Sequence, residues 1–263
     1  MRTVKDVFGD ACEDTYANLN WAGREESLES SARRLAASMS LLSGLTGLQW
    51  YRDAEDLQSR TSNFVPVPAD PAVLVGILRT QLFTNWGDTA ATFRFLLSRD
   101  TPSLGNAEAA ALSGSVGSAA DSWNQIQLEL ADDFPLGGPV ETAALFAELV
   151  RVWQPDHARL SNSAAQKELV MTRAAYLSWT SNKAYAEPVS DLEVSVPFGD
   201  GSLRAARVWT PGHVVALNAE LAAAGAPSFS KRPAQQDPPQ FPSDTPDLAR
   251  VLSTVAVPAA AGE

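Results

Sequence analysis

Two histidines, one cysteine, scattered serines and a dense set of carboxylates are the residues of this 263-residue chain that carry usable chemistry. A metal site needs converging ligands, and neither His157 nor His213 belongs to a spaced His/Cys/carboxylate set. His213 follows Thr210-Pro211 in a predicted first helical turn and reads as a capping or surface residue. Cys12 sits among Asp10, Glu13 and Asp14, whose charge raises a thiol pKa and so disfavours a nucleophile. Being the lone cysteine, it also excludes an internal disulfide and a multi-cysteine zinc or iron-sulfur cluster. Gly114-Ser115-Val116-Gly117 places its serine one position too early for a nucleophile elbow and has no helical run after it; it reads as a small-residue strand. No phosphate loop and no dinucleotide fingerprint occurs. The acid pairs Glu25-Glu26 and Asp132-Asp133 stand at a helix start and in a turn, where adjacent carboxylates point apart and capping or turn formation explains them. No catalytic, metal-ligating or cofactor-binding residue is assigned, and the chain is not expected to be an enzyme.

Charge distribution says more. The net charge of −11 opposes binding to nucleic acid and to anionic membranes and favours a basic protein partner. From Asp100 to Asp156 nine acids face one base, Arg151, so this segment carries −8 of the total. A charge run of this kind is either a solvated face or a docking surface for a basic protein. On the second reading the contact residues are Asp121, Glu129, Asp132, Asp133, Glu141 and Glu148. No apolar run approaches the roughly 18 residues of a membrane span, and the first residues carry Arg2, Lys5 and Asp6 rather than an apolar leader, so a cytoplasmic location is expected.

The elements that position these groups follow from periodicity. Thr15 to Trp21 reads as a strand. Leu28, Ala32, Leu35, Met39 and Leu42 fall on one face of a helix from about Glu26 to Ser43, which Gly44 or Gly47 ends. Val65-Pro66-Val67-Pro68 is extended, and Asp70-Pro71 opens a helix to Thr80 with Val73 and Ile77 inward, Leu74 and Leu78 as further inward positions. Between Asp88 and Ala131 the period becomes two, as in Ile126, Leu128 and Leu130, which predicts half-buried antiparallel strands. A helix from Val140 to Val152, a hairpin turning at Phe198-Gly199-Asp200-Gly201, and a helix opened by Thr210-Pro211 and closed at Gly225 complete the pattern. After Ala226 prolines crowd in and few residues can anchor a core. That segment is expected to be a tail, dispensable for folding, with one short helix through Leu248, Val251 and Leu252. The expected organisation is an α+β domain over 1–225, an antiparallel sheet packed with a few helices, and a proline-rich tail over 226–263.

Trp21-Ala22-Gly23-Arg24-Glu25-Glu26-Ser27, then Ala32-Arg33-Arg34-Leu35-Ala36, then Trp50-Tyr51 resemble the opening signature of immunity protein family fifty-two of bacterial polymorphic toxin systems. Trp153-Gln154-Pro155-Asp156, Tyr176-Leu177-Ser178 and Val208-Trp209-Thr210-Pro211-Gly212-His213-Val214 are similar to later segments of that family, in the same order, over roughly Tyr16 to Gly225. The resemblance implies a non-catalytic α+β protein that binds a cognate toxin and protects the producing cell. The toxin it implies is typically a nuclease of restriction-endonuclease-like fold, with a basic nucleic-acid-binding surface, delivered by contact-dependent secretion such as type VI secretion. An adaptor or chaperone for a secreted effector, or an enzyme whose site the sequence does not display, are the alternatives. Physically, Trp21 can pack across the first turn of the helix after it, Arg24 can pair with Glu26 or a distant carboxylate, and Ser27 or Glu26 can satisfy free helix-end amides. Trp21, Arg24, Glu26 and Ser27 therefore read as markers of the fold more than as a contact surface.

Overall fold

The computed structural model describes residues 1–24, 26–54, 63–85, 88–102, 109–119, 124–169, 171–181, 188–229, 237–242 and 247–258. In chain order the elements are α1 (Val4–Phe8), β1 (Thr15–Trp21), α2 (Leu28–Thr46), β2 (Gln49–Asp53), β3 (Phe64–Pro66), α3 (Pro71–Thr80), β4 (Leu82–Asn85), β5 (Asp88–Ser98), β6 (Ala110–Val116) and β7 (Asn124–Leu130). They continue with α4 (Pro139–Trp153), β8 (His157–Ser161), α5 (Ser163–Gln166), β9 (Leu177–Ser181), β10 (Glu193–Phe198), β11 (Gly201–Ala206), α6 (Pro211–Ala223) and α7 (Leu248–Leu252). The class is α+β, and the strand ladders are antiparallel. The chain divides into two compact units, Met1–Trp21 with Pro135–Glu263, and Ala22–Phe134. Among the described residues no helix is long and apolar enough to cross a membrane.

In the first unit the strands run β10-β11-β9-β8-β1. β1, predicted as a strand, alternates buried and half-buried residues, whereas β9 is buried at every position and β8 at all but one. Trp21 stacks on Trp153 at 5.7 Å, and the Trp179 indole donates to the Phe198 carbonyl at 3.0 Å. The start of the chain is not simply polar. Thr3 and Asp6 close a capping box on α1, and Val4, Val7 and Phe8 are buried, Phe8 lying parallel to Trp209 at 5.7 Å.

The described part of 226–263 packs on this unit, which corrects the expectation that it has little to bury. Phe229 stacks on His157 at 5.0 Å. Phe241 packs against Trp179 at 5.3 Å and Phe198 at 5.0 Å. The Gln154 side chain donates to the Pro239 carbonyl, and the Asp200 N–H to the Gln240 carbonyl. Leu248 and Leu252 of α7 are buried, and Ala256 forms a bridge with Val208. Gly199 makes room for this strap: its φ is +59°, and a Cβ there would meet the Gln240 carbonyl and stand 2.6 Å from the Phe241 ring. Prolines do not prevent burial here because the apolar side chains between them, Phe229, Phe241, Leu248 and Leu252, carry it.

In the second unit the order is β7-β6-β5-β2-β3, with β4 also paired to β5. Ile126, Leu128 and Leu130 are buried as the alternation predicts. Gly114 is required where it stands, since a Cβ would meet the Gln125 carbonyl and lie 3.1 Å from the Phe93 ring. α2 begins at the Ser27 cap and ends at Gly47, whose φ is +71°. The Trp50 indole donates to the Met39 carbonyl at 2.9 Å and so ties β2 to α2. α3 departs from its predicted face: Leu74 and Leu78 are buried, Ile77 is half-buried and Val73 is 42% exposed. Both stripes are apolar, and packing against α2 selects one of them.

Candidate functional site

The acids of the Asp100–Asp156 segment fall on both units. Glu129 is exposed on β7, and Asp132 and Asp133 are exposed in the turn that follows it, all in the second unit. Glu129 accepts a hydrogen bond from Gln127 at 2.8 Å, while neither aspartate side chain is engaged by a described residue. Glu141 and Glu148 belong to α4 in the first unit. Glu141 accepts from the Gly138 N–H at 2.9 Å, completing the N-terminus of α4, and Glu148 pairs with Arg151 at 2.7 Å. Asp121, together with Glu25 and Glu108, lies outside the described residues. Of the six predicted contact residues, Asp132 and Asp133 are thus the described ones with no internal task.

The signature residues have structural tasks. Trp21 is buried, and its stacking partner is Trp153 of α4, where the sequence points to the first turn of α2. Ser27 caps α2, its hydroxyl accepting from the Ser30 N–H at 3.2 Å. Glu26 lies 3.2 Å from the Arg34 guanidinium, one turn and more into α2. Burial presses the Arg34 pKa below its ordinary value, Glu26 opposing the shift and Arg24 adding to it. Arg24 is buried, and its N–H donates to the Ser118 carbonyl at 3.2 Å. Sequence reasoning missed the clamp beside it: the Asn124 side chain accepts from the Ser118 N–H at 2.9 Å and donates to the Ala22 and Ser118 carbonyls. Ser27→Ala is expected to cost about 1 kcal/mol, read as a lower urea midpoint at unchanged slope, and to leave partner affinity unchanged.

The other chemical candidates also resolve into structure. In the first turn of α6 a ring nitrogen of His213 lies 2.8 Å from the Leu192 carbonyl, and the His213 N–H reaches the Thr210 cap. Cys12 is buried and forms no disulfide, and Ser115 lies in β6. His157 is buried in β8. The described residues contain no group of three or more His, Cys, Asp or Glu placed to hold a metal.

Two features had no sequence signal. The first is a cavity of about 680 Å³ in the second unit, lined by Arg52, Asp53, Ile77, Gln81 and the Thr92–Phe95 stretch of β5. It opens where the β4 ladder on β5 ends at Ala91 and the β2 ladder starts at Leu96. The second is a buried ion pair in the first unit, Glu193 of β10 with Arg204 of β11. Glu193 also accepts from the Ser190 N–H at 3.1 Å, and the Arg204 guanidinium donates to the Pro188 carbonyl. Burial raises the Glu193 pKa above the ordinary carboxylate value, against the opposing pull of Arg204 and the Ser190 N–H. Burial likewise pushes the Tyr176 hydroxyl up to about 12, although it donates to Asn162.

No protein-family model matches the chain, and no curated protein matches it in sequence. Among solved structures, a Pseudomonas aeruginosa T6SS protein, PA0821, shares the fold with a TM-score of 0.52. The superposition covers 80% of this chain and 75% of that one at 12% sequence identity. At that identity the likeness speaks for the fold.

Proposed function

We propose that this chain is an immunity protein of a toxin-delivery system, which neutralises a cognate toxin in the cytoplasm of the producing cell by stoichiometric binding and without catalysis. The observation that carries the reading is the fold likeness to a T6SS protein over most of both chains. The resemblance of Trp21 to Ser27 to the opening signature of immunity family fifty-two supports the same assignment, its residues serving the fold. The toxin is a nuclease with a basic nucleic-acid-binding surface, and the unengaged Asp132 and Asp133, with exposed Glu129 nearby on β7, are the carboxylates that meet it. Glu141 and Glu148 are committed to α4 and contribute field more than contact.

Co-expression with the toxin-domain protein encoded beside this gene tests the reading. Immunity predicts restored growth and a co-purifying complex of fixed stoichiometry. An adaptor co-purifies without restoring growth, and absence of both overturns the assignment. Within the complex, replacing Asp132 and Asp133 together by lysine is expected to leave the fold intact and slow association roughly tenfold at low ionic strength, with a smaller loss at high salt. Stopped-flow association at two salt concentrations reads this. An unchanged rate with unchanged salt dependence places the contact surface elsewhere.

A further inference from the structure

Among the described residues of its unit, β4 is paired on one side only, by β5. Its register with β5 runs from Leu82↔Ala91 to Asn85↔Asp88, and just ahead of it the Thr92 N–H donates to the Gln81 carbonyl at 3.2 Å. In an antiparallel ladder, residues that exchange backbone hydrogen bonds alternate with residues that do not. Gln81 and Phe83 therefore turn their backbone groups toward β5, and Leu82 and Thr84 turn theirs away. Among the described residues β4 has this single ladder, so the outward groups of Leu82 and Thr84 face no strand.

The side chains on this edge are apolar and open. Leu82 and Phe83 point to opposite faces of the sheet and are 45% and 42% exposed. Natural edge strands are commonly guarded by lysine, inward charge or proline, and Leu82-Phe83-Thr84-Asn85 contains none of these. From Pro71 to Asn85 the one charged residue is Arg79, which is paired with Glu29 at 2.7 Å. A basic toxin is drawn to carboxylates and finds none on this stretch. A molecule of net charge −11 can approach its own copy here without carboxylates of this stretch opposing it.

We propose that β4 is a self-association edge, to which a second copy of this chain adds its own β4 antiparallel about a two-fold axis. An axis perpendicular to the sheet keeps opposite residues on one face, which sets Phe83 against Phe83 of the other copy and Leu82 against Thr84. Leu82 and Thr84 carry the outward backbone groups, so they exchange both hydrogen bonds on either side of the axis. Phe83 then occupies the non-hydrogen-bonded position at the axis, where facing side chains come closest. This inference stands apart from the toxin reading.

Sedimentation velocity on the full chain over roughly 1–100 μM is the test, since a dimer forms by mass action. The wild type is expected to shift from monomer to dimer across that range. Phe83→Lys sets like charges opposite one another and is expected to weaken association roughly tenfold or more. Thr84→Pro removes an N–H that points away from β5, spares the backbone ladder between β4 and β5 while losing the Thr84–Thr89 hydroxyl contact, and is expected to do the same. Phe83→Cys is expected to cross-link two chains on oxidation, the native Cys12 being buried. Each variant should retain the wild-type circular dichroism. If either weakening variant fails to fold, the wild-type profile and the cross-link formed by Phe83→Cys decide. A chain monomeric throughout the range, or a dimer untouched by the folded variants and not trapped by oxidation of Phe83→Cys, overturns the proposal. A monomer whose toxin complex is lost on Phe83→Lys assigns the edge to a toxin strand and overturns self-pairing as well.

Discussion

Ending the chain after Gly225 is expected to unfold the first unit. The truncation removes Phe229, Leu248, Leu252 and Val255, all buried, together with Phe241, which covers Trp179 and Phe198. A fully buried side chain of this size contributes about 1.5–3 kcal/mol by transfer, and a whole domain is stable by only about 5–15 kcal/mol. The loss is therefore of the same order as everything the unit has. Backbone partners go with it, because the Trp209 N–H donates to Ala256 and the Asp200 N–H to Gln240. Thermal denaturation followed by circular dichroism, comparing residues 1–225 with the full chain, measures the effect. Loss of the cooperative transition is the expected outcome, and a midpoint within a few degrees of the full chain would mean that these contacts are not stabilising.

Arg204→Met is expected to destabilise the first unit by about 3–5 kcal/mol at neutral pH, because it leaves the Glu193 carboxylate buried without its counter-charge. Arg204→Met combined with Glu193→Leu is expected to recover most of that loss, since two apolar groups need no solvation. The pH dependence follows from the raised pKa of Glu193, whose leading cause is burial. The folded state holds this proton more tightly than the unfolded chain. The stability contribution is thus complete below the ordinary carboxylate pKa and declines as pH rises through the raised folded value. Removing Arg204 takes away the interaction that pulled this pKa down and extends the decline upward. The deficit of Arg204→Met relative to wild type should then be smallest in acid and grow toward neutral pH. Urea denaturation of both proteins at a series of pH values reads the difference directly. A deficit that is constant with pH, or below about 1 kcal/mol at neutrality, would contradict a desolvated carboxylate at Glu193.

Several elements were legible because their information is local. α2 carries its cap in Ser27, its stop in Gly47 and its apolar face in the spacing of Leu28 to Leu42. β7 alternates because one face meets the core and the other water. β8 and β9 show no alternation to read: both their faces are buried, so small, polar and apolar residues occur in succession. β4 was missed for a related reason, being a four-residue edge whose two apolar side chains face opposite ways. Of the positions predicted inward on α3, Leu74 and Leu78 are buried and Val73 is not, because the helix carries two apolar stripes and only its packing against α2 ranks them.

By itself the sequence determined the class of the molecule: the mixed periods require an α+β fold, the single cysteine excludes a disulfide framework, and the acidic balance sets the sign of the field a partner meets. These depend on composition and on spacings of a few residues, which chain folding cannot alter. Only the tertiary structure decided that the proline-rich segment is anchored, that Glu193 and Arg204 meet out of water, and that Asp132 and Glu141 belong to different units although nine positions apart. Those outcomes rest on contacts between residues distant in sequence, and their energies come from desolvation at the point of contact, a quantity that no local pattern of residues encodes.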